Sequence, residues 1–361
     1  MSDTHSLCFS LTDGVGPKTF LKLLEYFGST TDAWENLNTK NFKDAGMGVA
    51  AFGKFEVSRK NLNIDSYLEK LKKAKVKVIS YSDEIYPENL KKLEAPPIVL
   101  YCKGNLDLLS HKRTVGIVGA RKITSYGTDV TEKIVSELMS QGICIISGLA
   151  FGVDAAAHST AIKNQGSTAA VLGCGVDCCT PAENQDLYEK ILDNGGLIIS
   201  EYPLGMPPSA GTFPARNRII AGLSLGVLVT EAAEDSGSLI TAAESLKLGR
   251  PVFAVPGSIN SQMSRGALQL LKQGAILAQS GNDILEGLQL KIKNSKLKIS
   301  SQNLKLSAEE KIICESLENE SLPLDLLSKQ AKIPIIKLMA LTSGLEMKGI
   351  VKNKNGELTL K

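Results

Sequence analysis

The sequence predicts an α/β protein: an open, doubly wound parallel sheet, with a helical region before it and a helix-and-hairpin region after it. Short apolar runs recur from Thr114 onward, at Thr114–Val118, Ile143–Ser147, Ser167–Leu172, Leu197–Ser200, Val227–Thr230, Val252–Val255 and Ala275–Leu277. Helical patterns separate most of them, at Tyr126–Ser140, Ala155–Lys163, Asn184–Leu192, Pro214–Leu223, Ser238–Leu248 and Ala267–Lys272. The runs are continuous rather than alternating, which marks strands buried on both faces.

The first strand–helix unit sets the frame. Thr114–Val118 is a β-branched run, Gly119 and Ala120 allow a tight turn, and Arg121 and Lys122 place two cations just past the strand. The helix that follows carries Val130, Ile134, Val135, Leu138 and Met139 on one face. Its N-terminus points free N–H groups at the carboxyl edge of the sheet, where such folds take anionic ligands.

Ahead of this unit, residues 1–75 read as a helical domain. Leu11-Thr12-Asp13-Gly14-Val15-Gly16-Pro17 is a turn signal before an amphipathic helix through Phe20, Leu23 and Phe27, and Ala45–Gly48 is a second candidate hairpin. Such a hairpin either holds phosphate through backbone N–H groups, as helix-hairpin-helix modules do, or is an ordinary turn in a small bundle. Val76–Tyr81 and Ile98–Tyr101 read as strands joining this region to the sheet as added edges, so the sheet domain is expected over 76–289. A lysine-rich linker is expected over 290–305. Within 306–361, three helical segments and a strand–Asn-Gly–strand tail follow the order of a winged helix, which serves either duplex DNA or protein contact.

Composition narrows the function classes. With 361 residues, 43% hydrophobic and 22% charged, the chain is a multidomain globular protein. A net charge of +3 means that any nucleic-acid surface is a local patch. The apolar runs are too short for a bilayer span, the N-terminus has no signal-peptide pattern, and seven cysteines form no disulfide framework. The expectation is a reduced, cytoplasmic protein with no membrane partner.

The candidate site gathers at strand ends. Ser147-Gly148-Leu149-Ala150-Phe151-Gly152-Val153-Asp154 and Leu172-Gly173-Cys174-Gly175-Val176-Asp177 are glycine-broken loops, with Asp154 placed to cap the next helix. In Phe213-Pro214-Ala215-Arg216-Asn217-Arg218, Pro214 suits a first helical position, putting Arg216 and Arg218 on the first turn. Cations there disfavour the helix dipole and point to an anionic partner; the alternative is pairing with Glu201 and Glu231. Ser236-Gly237-Ser238 opens the next helix as another anion-accepting terminus. Together Arg121, Lys122, Arg216, Arg218 and this loop describe a basic groove for an extended phosphate chain.

Catalytic and cofactor motifs are absent. No G-x-G-x-x-G or P-loop fingerprint occurs, and no cofactor is expected. His158 reads as a packed histidine; Cys174, Cys178 and Cys179 lack the spacing of a zinc site.

The ordered stretches V-G-I-V-G-A-R (115–121), S-G-L-A-F-G-V-D-A-A-A-H (147–158), L-G-C-G-V-D (172–177), S-E-Y-P (200–203), F-P-A-R-N-R-I-I-A-G-L-S (213–224), S-G-S-L-I-T-A-A (236–243) and V-F-A-V-P-G (252–257) resemble the DNA-processing protein A family of bacteria. The resemblance implies an extended Rossmann-like fold that binds single-stranded DNA without established catalysis. It also implies protection of incoming DNA in natural transformation, loading of the RecA recombinase, and a homodimer. DNA contacts implied are Arg121, Phe213, Arg216, Asn217, Arg218 and the Ser236–Gly237 loop; Gly119, Ala120, Lys122, Gly148 and Ser238 complete the candidate DNA-binding site on the reading of the strand-end loops. The chain departs at Thr180, Thr212 and Leu268, where Tyr, His and Asn are usual. The alternative is a phosphoribohydrolase acting on nucleoside monophosphates on the same sheet type; its P-G-G-x-G-T-x-x-E loop is approached only by Ser236–Glu244.

Overall fold

The structure, a computed structural model, describes residues 3–46, 48–290, 307–317, 321–347, 350–354 and 357–360. The chain divides into two compact units, Met1–Asn294 and Ser295–Lys361.

The first unit begins with short helices α1 (Thr4–Ser10), α2 (Pro17–Phe27), α3 (Thr30–Asn36), α4 (Thr39–Asp44), α5 (Val49–Asn61) and α6 (Ile64–Lys73). Then come β1 (Lys77–Ser80), α7 (Glu88–Lys91) and β2 (Val99–Gly104). The regular alternation follows: β3 (Thr114–Val118), α8 (Ser125–Ser140), β4 (Cys144–Ser147), α9 (Val153–Lys163), β5 (Thr168–Val171), α10 (Gln185–Asp193), β6 (Leu197–Ser200) and α11 (Thr212–Leu223). It closes with β7 (Val227–Val229), α12 (Ser238–Lys247), β8 (Val252–Ala254), α13 (Arg265–Lys272), β9 (Ile276–Leu277) and α14 (Gly281–Gly287).

The strands form a nine-stranded sheet in the order β1-β2-β6-β5-β4-β3-β7-β8-β9. From β6 to β9 every pairing is parallel, while β1 and β2 add antiparallel strands at one edge. The chain winds outward from β3 to β6, then returns to lay β7 on the other side of β3. That reversal is a switch point, and it opens a crevice at the carboxyl ends of β3 and β7.

Every residue of β3 to β8 is buried, as continuous apolar runs require. Val118, Ile146, Val171, Ile199, Val229 and Ala254 pack on one face with Ile219 and Ala242 from α11 and α12. Val115, Ile117, Ile145, Leu228 and Phe253 face the other way onto Ile134, Leu138 and Ala157 of α8 and α9. Residues 1–75, expected as a domain of their own, instead share a core with the sheet. Phe9, Phe20 and Phe55 lie in one cluster with Val78, Tyr101 and Ile198. A handful of short helices cannot bury that many rings by themselves, and the β1–β2 edge supplies the missing wall.

Two local expectations change. Helix α11 starts at Thr212, with Gly211 as its unassisted cap, so Pro214 is its third residue and both arginines fall beyond the first turn. Helix α14 was not foreseen, although Ser280 and Asp283 form a capping box before it.

The second unit comprises α15 (Ala308–Ser316), β10 (Leu322–Pro323), α16 (Leu324–Ala331), α17 (Ile335–Met347), β11 (Val351–Lys354) and β12 (Glu357–Leu360). Its strands pair in the order β10-β12-β11 over a core that includes Ile313, Leu327, Leu338 and Leu358. The Asn355-Gly356 turn, Lys348 and all of the expected lysine-rich linker except Leu290 lie outside the described residues.

Candidate nucleic-acid interface

The crevice at the switch point is built first by the turn after β3. A Cβ on Gly119 would sit 2.5 Å from Val153 Cγ2 and 2.8 Å from the Glu231 carbonyl oxygen, so only glycine fits. Ala120 donates its N–H to that carbonyl at 2.7 Å and accepts from Val153 N at 3.2 Å. With the turn clamped on both sides and Ala120 buried, Arg121 and Lys122 are left exposed at its tip.

Glu231, a possible arginine partner by sequence, has a different task. It is 2% exposed, accepts from Thr124 N at 2.9 Å and from Thr124 Oγ1 at 2.6 Å. Thr124 in turn caps α8 by accepting from Gly127 N. Glu231 therefore locks the helix start that follows the cationic turn.

Helix α11 forms the facing wall, and its residues divide sharply. Phe213 is half-buried, its ring held beneath the Arg121 guanidinium with Cζ 5.4 Å from the ring centroid. Gly173 leaves room for it, since a Cβ there would lie 3.1 Å from Phe213 Cδ1. Arg216 is only 4% exposed. Its Nη1 donates to the carbonyl oxygens of Gly148, at 2.7 Å, and Val171, at the ends of β4 and β5. Its Nε donates to Asn217 Oδ1 at 3.2 Å, and Asn217 Nδ2 donates to Gly237 O at 3.2 Å. Gly148 has to be glycine because the Arg216 guanidinium lies where its Cβ would go. Arg218 turns away and forms a bidentate pair with Glu201, at 3.0 and 2.5 Å. Burial raises the Glu201 carboxyl and the Arg218 charge opposes that rise. Both side chains of this pair are at most 15% exposed, so neither is free for a ligand.

Beneath Arg216 lies Asp154. It does not cap α9, whose cap position is Gly152. Its Oδ2 accepts from Gly148 N at 3.0 Å and Ala150 N at 3.4 Å, which folds the loop back under the arginine. Burial pushes the Asp154 carboxyl up and the Arg216 guanidinium down; each charge counters the other's shift. Two buried charges thus offset each other, while Nη1 is satisfied by two main-chain carbonyls and Nε by the Asn217 side chain.

The third wall is the start of α12. Ser236 Oγ lies 2.8 Å from Ser238 Oγ and accepts from Ser238 N at 3.3 Å, and Gly237 is exposed. One turn on, Thr241 is buried and its hydroxyl has no partner. The cleft enclosed by these walls holds about 690 Å³. Of the expected residues, 119–122, Phe213, Arg216, Asn217 and 236–238 line it, while Gly148 and Arg218 do not. Sequence reasoning missed its apolar floor of Ile220, Ile240 and Met263, and Thr241. The hydroxyl one turn into α12 was the available signal for Thr241; nothing in the pattern marked the apolar residues as lining.

The residues weighed for catalysis lie elsewhere or are held neutral. His158 is fully buried with Nδ1 2.7 Å from Thr168 Oγ1, and burial, helped by the Arg216 charge, lowers its pKa to about 3. Glu244 pairs with Lys247 at 2.7 Å and is not among the cleft residues. Burial raises Cys174 to about 12 and Cys179 to about 11, and their thiols donate to the carbonyls of Cys178 and Pro181. Among the described residues no group of His, Cys, Asp and Glu is arranged to hold a metal, and no helix is long and apolar enough to cross a membrane.

Comparison with known proteins fits this geometry. The chain is 41% identical over 288 residues to Protein Smf of Synechocystis, covering 78% of this chain and 71% of that one. Its fold is similar to the X-ray structure of DNA processing protein A from Streptococcus pneumoniae, with a TM-score of 0.69, 38% identity, and coverage of 79% of this chain and 98% of that one. It is also similar to DNA processing protein A from Helicobacter pylori, whose structure was described for its single-stranded DNA binding mode; there the TM-score is 0.54, identity 32%, and coverage 59% and 95%. Residues 77–289, which contain the whole sheet and every wall of the cleft, match the family described as DNA recombination-mediator protein A, and the chain belongs to that family.

Proposed function

We propose that the chain binds single-stranded DNA in the switch-point cleft, with little dependence on sequence and without chemistry of its own. The observation that carries this reading is the exposed Arg121 guanidinium laid over the Phe213 ring at the cleft wall. A planar cation on an aromatic ring gives a base a surface to stack on, and stacking tolerates any base. Lys122 and the exposed Gly237 backbone offer phosphate contacts on either side. The similar Helicobacter pylori protein, described for binding single-stranded DNA, supports the same reading. Arg216, Asn217 and Gly148 act in it by holding the walls in place, and Arg218 by anchoring α11 to Glu201. The test is fluorescence anisotropy with single-stranded and duplex oligonucleotides of equal length. Tighter binding to the single strand is expected, and equal or tighter duplex binding by the first compact unit, Met1–Asn294, would overturn it.

We also propose a wider role, in keeping with a family of recombination mediators: protection of incoming DNA in transformation and loading of the RecA recombinase onto it. Strand-exchange assays with the recombinase, with and without this chain, test that role. We further propose a homodimer through the outer edge of the sheet, where Ile276 and Leu277 are 38% and 48% exposed on β9, which pairs with β8 on one side only. The second unit is read as a winged helix on its helix order and three-stranded sheet.

A further inference from the structure

The sheet's other outer edge carries a concentration of charge that the cleft does not use. Between the last turn of α6 and the first residue of β1 stand Lys70, Lys72, Lys73, Lys75 and Lys77, five lysines in eight positions. All five are exposed, and none is in an ion pair. Lys103 of β2, one residue past the register partner of Lys77, points to the opposite face of the sheet, with its Nζ 5.3 Å from the Tyr188 ring centroid and with Asp177 and Glu189 lining the same hollow. Glu69 is the carboxylate on the same turn of α6, and it makes no ion pair with them.

Three of these lysines have a local explanation, because cations in a last turn complement the helix dipole. Lys75 and Lys77 lie beyond the helix and do not. Lys75 also occupies a left-handed position, φ +55°, closing the helix with its N–H on Lys72 O while Val76 N bonds Leu71 O. Glycine is favoured there, and glycine fills the comparable positions after α2 and α12, at Gly28 and Gly249. Lys75 thus carries a charged side chain at a position where glycine is favoured, as Gln165 and Gln289 carry polar ones after α9 and α14.

The patch is remote from the cleft. Lys77 pairs with Cys102, and Gly104 pairs with Leu197, the first residue of β6, so the patch sits at the amino ends of the parallel strands. The cleft lies at their carboxyl ends, and five strand spacings separate β1 from β3, about 24 Å. No exposed aromatic ring accompanies the lysines, so the patch offers charge without a stacking platform.

We propose that this edge is a second nucleic-acid surface, which takes the phosphodiester backbone of DNA extending beyond the cleft. Its chain is nearly balanced overall, so five unpaired cations in one place make a local field suited to a polyanion. Binding there is by counterion release alone, independent of sequence and steep in salt.

The test uses the full chain with Lys72→Gln, Lys73→Gln and Lys75→Gln combined. Three probes are compared: an oligothymidylate of about 8 nucleotides, on the scale of a single binding groove, one several times longer, and a duplex of the longer length. The short probe is expected to bind as in the wild type. The longer strand is expected to lose roughly tenfold in affinity and about two units of salt slope, at about 0.7 per phosphate contact. Loss on the duplex alone overturns the proposal, because a strand extending from the cleft would then not reach the patch. Unchanged binding of both long probes overturns the proposal and leaves an acidic protein surface as the partner to seek. Equal loss on the short probe overturns it too, because the patch would then not be separate from the cleft. If the wild type fails to bind the short probe, the cleft reading falls while the two long probes still decide the patch. Lys75→Gly guards against a purely structural effect: it is expected to raise the melting temperature while lowering long-strand affinity, and a structural lysine would not lower affinity.

Discussion

Arg121 leaves the turn after β3 with its guanidinium exposed over the Phe213 ring, whereas Arg216, across the same cleft, spends its donors on the carbonyls of Gly148 and Val171. Both are arginines in short basic stretches near strand ends. The turn that carries Arg121 is closed by main-chain bonds to Glu231 and Val153, so its side chain has nothing to hold and is available to a ligand. Helix α11 has no such clamp; Arg216 supplies it by reaching across two strand ends and balancing Asp154. Interfaces of this kind need one region that reaches outward and another that keeps its geometry.

The largest test of that contrast is Arg216→Ala. Removing a buried charge leaves Asp154 uncompensated and two carbonyls unpaired, so a loss of about 3–5 kcal/mol is expected in urea denaturation. A loss below about 1 kcal/mol would erase the distinction between the two arginines.

Acid probes the ground beneath Arg216. Folding depresses His158 to about 3, against about 6.5 in the unfolded chain, so its contribution is complete above pH 6.5 and is lost as pH falls toward 3. From pH 7 to pH 5 that loss is about 2 kcal/mol. The raised carboxyls of Asp154 and Glu201 act the other way: the folded state favours their protonated forms, and their contribution fades as pH rises through their folded values. The difference between wild type and His158→Gln isolates the histidine, and identical pH dependence in the two would show that it protonates in place.

Phe213→Ala is expected to weaken single-strand affinity about tenfold, within the usual range for one stacked base. Its half-buried ring should contribute only about 1 kcal/mol to stability. A stability loss of core size with unchanged affinity would assign Phe213 to the scaffold with Arg216. Arg121→Ala should reduce the salt slope by about 0.7 and leave stability within about 0.5 kcal/mol. The smallest effect is the coupling between the two, about 0.5–1 kcal/mol in a double-mutant cycle of DNA binding. Zero coupling would mean that the ring and the cation act separately.

Much of this was legible beforehand. The seven apolar runs from Thr114 to Leu277 match β3–β9 to within a residue or two; in β3–β8 the reason is that a strand buried on both faces leaves no room for polar alternation, whereas β9 is an exposed edge. The turn Gly119–Lys122 was legible for a similar reason: small residues after a β-branched run have few other uses. Arg216 and Arg218 were recognised as unusual, but a cation at a helix start reads the same whether it faces solvent, a carboxylate or a carbonyl.

By itself, then, the sequence determined the sheet, its winding and the edge at which the loops gather, since hydrophobic period and turn chemistry are local properties. Tertiary structure decided which cation faces outward. It brought β7 beside β3, so that Glu231, far along the chain, holds Thr124 and the start of α8. It also laid the ends of β4 and β5 under α11, where their carbonyls capture Arg216. A charged side chain's role depends on which partners come within hydrogen-bond reach, and here those partners lie 45 and 68 residues away.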